Sequence, residues 1–297
     1  MRNHLIKIIF GSGLVLLPFI AAASEPSYQL VPAKLEVSLA PGERAARELV
    51  VTNQTGAPVN LAVSLEDIAP GSSSAEPVAL RAANTSTYSL LPYLSLPLTR
   101  SRLAAGESLS IPVIINLPAN LGVSGLYGAV IISFAPVEGT ASAVSRLGSL
   151  LFVRLSGVEK NESGRLLGFG PIGNHFFKTT EPPAFHIDYE NRGNVYLNPY
   201  GLITITNRLT GRESKQGLDP WFVLPESARS REVNLSEGLP LGFYRVKLEL
   251  NLGFADTVTE QQTSIFVWSY ALLIFIIIFL IGLKFGLKVM RFNSTKS

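Results

Sequence analysis

Residues 59–66, VNLAVSLE, set the pattern from which the fold of this 297-residue chain can be predicted. Apolar side chains occupy every second position from Val59 to Leu65, with small or polar residues between them. Successive side chains of a strand point to opposite faces of a sheet, so this period of two predicts a strand with one buried and one solvated face. Such strands are typical of antiparallel sheets.

The same alternation recurs on both sides of this stretch. It is clearest in residues 35–39, 49–51 and 109–117, and turn residues such as Pro41-Gly42 separate the segments. Further strands are predicted at 126–134 and 149–155. Two sheets bury their apolar faces against each other, so about seven short strands predict an immunoglobulin-like β-sandwich for residues 28–160.

Residues 165–264 repeat the pattern of the first half. Glu-Ser at 107–108 and Gly-Leu-Tyr at 125–127 correspond to Glu-Ser at 226–227 and Gly-Phe-Tyr at 242–244. We therefore predict an all-β protein with two tandem immunoglobulin-like domains, 28–160 and 165–264. Tyr127 and Tyr244 are predicted to be structural, each tying a corner of its sandwich through the hydroxyl group.

Apolar segments at both ends predict export and anchoring. Residues 1–23 have the basic start, short apolar stretch and small residues of a signal peptide. Residues 265–283, IFVWSYALLIFIIIFLIGL, contain no charge and are close to the roughly 20 residues that a membrane-spanning helix needs. The sequence thus predicts a C-terminal transmembrane helix at 265–283 and a basic tail at 284–297.

Five residues at or near the two ends of this run are predicted to lie at the membrane interface. Lys284, Lys288 and Arg291 follow it, and basic residues favour the cytoplasmic side. Trp268 and Tyr270 lie at the other end, where aromatic rings favour the headgroup layer. The expected localisation is the plasma membrane, single-pass, with both domains outside, the C-terminus cytoplasmic and the lipid bilayer as a partner.

Composition excludes several classes of function. The chain has no cysteine, so it contains neither disulfide bonds nor thiolate nucleophiles. The formal net charge of +3 comes from basic residues in the two terminal segments, and the part between them is net acidic. We therefore expect no nucleic-acid partner.

One group of residues was tested as a site of chemistry. His186, Asp188 and Glu190 are alternate residues that would project from one face of a strand, where a metal would need a further ligand from another strand. The alternative is an ordinary solvated strand face. Motifs for a serine nucleophile, a zinc protease or a P-loop are absent from the sequence. We predict no enzyme, no catalytic residue, no cofactor and no metal.

The first half has an extra segment, residues 67–89, ahead of its Glu-Ser turn. Long loops on a sandwich often carry function. Tyr88 and Tyr93 could stack on a sugar or a peptide, with core packing as the alternative. The candidate binding residues are Gly71, Ser72, Ser73, Ser74, Tyr88 and Tyr93.

Three segments of the first half carry a family resemblance. YQLVP at 28–32, LAPGE at 39–43 and LVVTN at 49–53 resemble the opening of the first domain in the WxL-interacting surface proteins of Gram-positive bacteria. They are also similar to the first domain of pilus chaperones and of major-sperm-protein-like sandwiches. The first resemblance implies a first domain that binds peptidoglycan and a second that holds a WxL-domain partner. It transfers no individual binding residue.

The predicted function is that of a bacterial, membrane-anchored, extracellular binding or scaffold protein. It would hold a cell-wall polymer such as peptidoglycan, or a surface-protein partner. The alternative is an assembly chaperone or adhesion subunit that acts by strand addition, which an unpaired sheet edge would favour. A membrane-anchored envelope enzyme is the further alternative, and it would require a pocket that collects a histidine with carboxylates.

Overall fold

The computed structural model describes residues 28–71, 78–81, 86–137 and 144–294. The predicted signal peptide, residues 1–23, lies outside these ranges. The first half of the described chain contains β1 (Tyr28–Val31), β2 (Lys34–Leu39), β3 (Arg44–Asn53), β4 (Val59–Pro70), β5 (Val78–Arg81), β6 (Leu94–Ser95), β7 (Arg100–Leu103), β8 (Ser108–Asn116), β9 (Gly125–Pro136) and β10 (Ser145–Leu155), with a 3-10 turn at Leu91–Tyr93.

Strands β1 to β10 form two sheets, which we call the first sandwich. One has the order β1-β3-β8-β6, and the other β2-β10-β9-β4-β5 with β7 also paired to β4. The chain crosses between the sheets at Val31-Pro32, so β1 pairs with β3 and β2 pairs in parallel with β10. The apolar faces meet in a core that includes Leu49, Ile111 and Ile132, each 0% exposed.

The second half repeats the two-sheet arrangement. Its elements are β11 (Gly164–Pro171), β12 (Phe176–Lys178), β13 (Ala184–Asn191), β14 (Tyr200–Asn207), β15 (Glu213–Leu218), β16 (Ser227–Asn234), β17 (Gly242–Asn251), β18 (Val258–Trp268) and α1 (Tyr270–Ser294). The sheets β11-β13-β16 and β12-β18-β17-β14-β15 enclose a separate core and form what we call the second sandwich. The predicted all-β sandwich architecture is confirmed.

Strand β13 shows how the alternation of the sequence produces the core. Phe185, Ile187 and Tyr189 are 0% exposed, while the residues between them are half-exposed. Burying one such large apolar side chain contributes roughly 1.5–3 kcal/mol. This face of β13 therefore anchors the second core, and its other face is solvated.

Two asparagines at equivalent corners replace missing backbone partners. The Asn191 amide donates to the carbonyl oxygens of Val195 and Val223 at 2.7 and 3.0 Å, and its oxygen accepts from the N–H of Gly193. Asn53 does the same in the first sandwich, donating to Ala57 and to the chain at 103–104. Both side chains are 0% exposed, so each corner depends on them.

The C-terminal apolar run differs from its prediction. Its first four residues belong to β18, where Ile265 and Val267 are 2% and 0% exposed in the second core. Helix α1 begins at Tyr270 and ends at Ser294, so only residues 270–283 of the predicted span are helical. Across the described ranges, no helix combines the length and the apolar character that crossing a membrane requires.

Several predictions depended on the transmembrane helix. The transmembrane helix at 265–283 and the single-pass plasma-membrane localisation are wrong on this finding, and the bilayer as a partner is left without support. Trp268 is the last residue of β18, and its ring lies 5.2 Å from that of Tyr270. Lys284 lies within α1, as do Lys288 and Arg291, whose side chains fall outside the description.

Candidate functional site

The edge of β10 is the best candidate for a binding surface. Its residues 145–154 pair with β9, but β2 pairs only with residues 150–155. Residues 145–149 therefore have a strand on one side only, as far as the described ranges extend. An open edge of this kind presents unpaired N–H and C=O groups that can template another strand.

The backbone groups on this open edge can be assigned from strand parity. The N–H of Leu150 donates to Ala33 on the β2 side. The backbone groups of alternate residues in a strand point the same way. Arg146 and Gly148 therefore direct their N–H and C=O groups away from β9, where a new strand would pair with them.

The side chains beside the open edge are partly apolar. Leu147 is half-buried against the first core, and Val144, directly before β10, is 54% exposed. On the neighbouring β1, the ring of Tyr28 stacks on Phe134 with centroids 4.0 Å apart. A strand laid along residues 145–149 would cover Leu147 and extend the core outward.

A second surface, between the two sandwiches, is already occupied. It is an aromatic cluster to which both sandwiches contribute, and it includes Tyr127 and Phe152 from the first and Tyr196 and Phe222 from the second. The ring of Phe152 lies 4.9 Å from Tyr196 and 5.1 Å from Phe222, edge to face in both cases. These contacts fix the two sandwiches against each other.

Polar bonds reinforce this contact. The Tyr127 hydroxyl accepts from the backbone N–H of Tyr196, so it ties the two sandwiches together and not a corner of its own. Burial raises the pKa of the Tyr127 phenol. The Tyr88 hydroxyl donates to the Glu226 carboxylate at 2.9 Å, and burial followed by that bond raises the pKa of Tyr88 to about 12. Tyr244, in contrast, ties its own corner by donating to Pro240.

The predicted binding loop is placed only in part. Gly71 follows the end of β4, whereas Ser72, Ser73 and Ser74 lie outside the described residues. Tyr88 packs against the cluster between the sandwiches. Tyr93 ends the 3-10 turn and packs on the first core. Both described tyrosines thus contribute to internal packing, and the role of the six residues in binding stays a prediction.

The three residues tested as a metal site instead make polar contacts along the solvated face of β13. The ring of His186 lies 3.6 Å from the Asp188 carboxylate. Glu190 instead accepts hydrogen bonds from Arg165 and Arg192, and these guanidinium groups hold the pKa of its carboxyl below the usual range. Within the described ranges, no group of three or more potential ligands could hold a metal ion.

Sequence reasoning missed the open edge of β10. The predicted strand covered residues 149–155, but β10 begins at Ser145, so the unpredicted part is the part that stays open. The small residues Ser145, Gly148 and Ser149 weaken the apolar alternation there. Leu147, two positions before the predicted start and in phase with Leu151 and Val153, was the available signal.

Comparison with known proteins adds structural neighbours. No protein-family model matches the chain, and no curated protein matches it. Among solved structures, the E. coli chaperone DraB is similar with a TM-score of 0.39 and 13% identity, over 82% of this chain and 97% of that one. The YadV chaperone gives a TM-score of 0.41 and 10% identity, over 80% and 99%. The Pseudomonas aeruginosa CupB2 chaperone gives 0.36 and 14%, over 80% and 98%.

These neighbours are pilus-chaperone-like sandwiches, the second of the two resemblances noted in the sequence. At such identities and TM-scores, the likeness carries no conclusion about what this chain does. These comparisons do not show the resemblance to WxL-interacting proteins.

Proposed function

We propose that this protein is an assembly chaperone or adhesion subunit that binds an extended segment of a partner protein by strand addition. The observation that carries the proposal is the open edge of β10 at residues 145–149, next to the point where β2 begins. Strand addition needs outward backbone groups for affinity and alternate side-chain contacts for specificity. The edge offers both, through Arg146 and Gly148 on the one hand and Leu147 on the other.

The surroundings of this edge also favour one added strand. β2 pairs with the far half of β10, so an added strand would enter beside residues 145–149 and stop where β2 begins. Ser149, at that junction, donates its hydroxyl to the Pro32 carbonyl oxygen at 2.7 Å and closes the gap. The partner segment would therefore be short, about five residues, which is the usual length of a strand.

The first prediction, a scaffold for a wall polymer, has less support. Its predicted binding site was the loop at 67–89, whose stem contains β5 and whose Val78 packs into the cluster between the sandwiches. A stem used for internal packing leaves less of the segment for a ligand. The proposed protein is a binding protein and not an enzyme, and no cofactor is assigned to it.

Site-specific crosslinking tests the proposal. A photoreactive amino acid is placed at Arg146, on the open edge, in the protein made by its native cells. The matched control position is Arg47, which is exposed on the central strand β3. We expect crosslinks from position 146 to one extended segment of a single partner, and none of this kind from position 47.

A backbone variant makes the test specific for strand pairing. Gly148→Pro removes an N–H that faces the open edge and leaves the bonds to β9 in place. Crosslinking at position 146 should then be lost while the melting temperature stays close to that of the parent. Equal crosslinking from positions 146 and 47, or crosslinking that persists in a folded Gly148→Pro variant, would refute strand addition at this edge.

A further inference from the structure

Two arginines of β16 occupy core-facing positions. Arg229 pairs with Tyr189 across the sheet, and Arg231 pairs with Ile187. Directly opposed residues share a face, and both partners are 0% exposed in the second core. The side chains of both arginines therefore point to the inner face of the sheet, at its edge strand.

The segment that precedes β16 in the chain contacts the side chains of both arginines. Residues 219–226 join β15 to β16, and we call this segment the strap. The guanidinium carbon of Arg229 lies 4.9 Å from the ring centre of Phe222, and that of Arg231 lies 4.7 Å from Trp221. Arg229 also donates to the Phe222 carbonyl oxygen, and Arg231 to that of Asp219. Each guanidinium thus lies over an aromatic ring and donates to one strap carbonyl.

The charge of Arg229 is not balanced by a carboxylate, whereas Asp219 acts on the charge of Arg231. Within the residues that the structure describes, neither arginine forms a salt bridge, and the buried Nε of Arg229 has no hydrogen-bond partner. Burial lowers the pKa of Arg229 to about 10, and the charge of Arg231 adds to the effect. Burial also lowers the pKa of Arg231, against the charge of Asp219. Both groups stay cationic at neutral pH.

A third cation extends the positive region across the contact between the sandwiches. The ammonium nitrogen of Lys34, on the edge strand β2, lies 5.8 Å from the ring centre of Phe222. Phe222 therefore has cations from both sandwiches near its ring. Lys34 is paired with Glu36, so the uncompensated charge resides at Arg229.

We propose that Arg229 and Arg231 form a binding site for an oxyanion, either a carboxylate or a phosphate group. The site is separate from the open edge of β10 and does not depend on the proposed function. Side chains two apart on a strand face are about 6.6 Å apart along the strand, close enough for one oxyanion to receive bonds from both. The planar guanidinium fork suits carboxylate and phosphate alike, and each arginine uses only one of its donors on the strap.

The surroundings of Arg229 and Arg231 favour a bound oxyanion over water alone. A half-buried charge without a counterion costs free energy that a bound anion restores. The aromatic rings and strap carbonyls already fix the orientation of both guanidinium groups, so little side-chain entropy is lost on binding.

Thermal unfolding and calorimetry of the full chain test the site. Sodium phosphate and sodium acetate are titrated separately at an ionic strength held constant with sodium chloride. We expect phosphate or acetate to raise the melting temperature beyond the chloride control, because a ligand that binds only the folded state stabilises it. If phosphate raises the melting temperature and acetate does not, the site binds phosphate groups. The reverse result identifies a carboxylate site.

Variants decide where the anion binds. Arg229→Gln should abolish the response, and Arg229→Lys should weaken affinity about ten-fold because the fork is lost and the charge is kept. Arg245→Gln, on an exposed position of β17, is the matched control and should respond like the parent. If Arg229→Gln does not fold, the affinity of Arg229→Lys decides alone.

Two results would overturn the proposal. One is a response to both anions no larger than that to chloride. The other is an anion response that Arg229→Lys and Arg229→Gln leave unchanged. If no anion binds and Arg229→Gln self-associates, the arginines serve to protect the edge of β16 from pairing, and the site does not exist.

Discussion

The hydroxyl oxygen of Tyr127, on β9 of the first sandwich, lies 3.0 Å from the backbone nitrogen of Tyr196 in the second sandwich and accepts its N–H. Both side chains are buried, at 2% and 5% exposure. The bond is therefore shielded from water and connects two hydrophobic cores that share no strand. Gly125 makes room for it, because a Cβ there would lie 2.3 Å from the Tyr127 hydroxyl oxygen.

Tyr127→Phe should destabilise the protein by about 1–2 kcal/mol, because it leaves the Tyr196 N–H buried without a partner. Urea unfolding of the full chain measures the change. Tyr200→Phe removes a hydroxyl from a residue that is 44% exposed and is the control. An unaltered unfolding free energy in Tyr127→Phe would show that the bond contributes nothing to stability.

Asn191→Ala should cost more, about 2–4 kcal/mol, since it removes the partners of two carbonyl oxygens and one N–H at a fully buried corner. Asn60→Ala, on the exposed face of β4, should change the unfolding free energy much less. Comparable losses in the two variants would mean that the asparagine corner is not special.

The ion pairs of Glu190 should give a measurable pH dependence. Its pKa is lowered in the folded state by Arg165 and then Arg192, so its contribution is present above the ordinary value of 4.5 and is lost as pH falls through the lowered pKa. The stability difference between the parent and Glu190→Gln should therefore shrink below about pH 4.5. It should also shrink in 1 M salt, which screens surface charges at about 3 Å. A difference that does not vary with pH would contradict this assignment.

We predict that residues 28–160 and 164–268 each fold alone, because each contains its own two sheets and core. The second piece must reach Trp268, because Ile265 and Val267 of β18 belong to its core. Circular dichroism should show a sheet spectrum for both. Each isolated half should also bind a hydrophobic dye more strongly than the full chain, because it exposes its side of the cluster around Phe152 and Tyr196. A half that stays unfolded would move the boundary.

Strands with one solvated and one buried face could be predicted from the sequence, because burying one face requires an apolar side chain at every second position. Val59, Leu61 and Val63 on β4 are buried as that period requires. The sequence could not show which strand lies beside which, since pairing joins residues far apart in the chain. The open edge of β10 is a property of that pairing, as is the inward position of Arg229.

The prediction of a transmembrane helix at 265–283 was wrong for a different reason. Ile265 and Val267 face the second core, while Phe266 packs on the outer face against Phe243 at 4.5 Å. A strand with apolar residues on both faces has no alternation, and joined to the start of α1 it resembles one long apolar helix. The same ambiguity did not affect β13, whose outer face is charged.

The parallel pairings bear on how the chain is made. β2 pairs with β10, and β12 pairs with β18, so an early strand of each sandwich lies in parallel beside its last strand. During synthesis from the N-terminus, the edge of β2 that pairs with β10 stays unpaired until β10 has been synthesised. Contacts this distant in sequence fold slowly, and waiting edges are exposed to aggregation. The newly made first sandwich would therefore itself need protection from aggregation until Leu155, the last residue of β10, has been added.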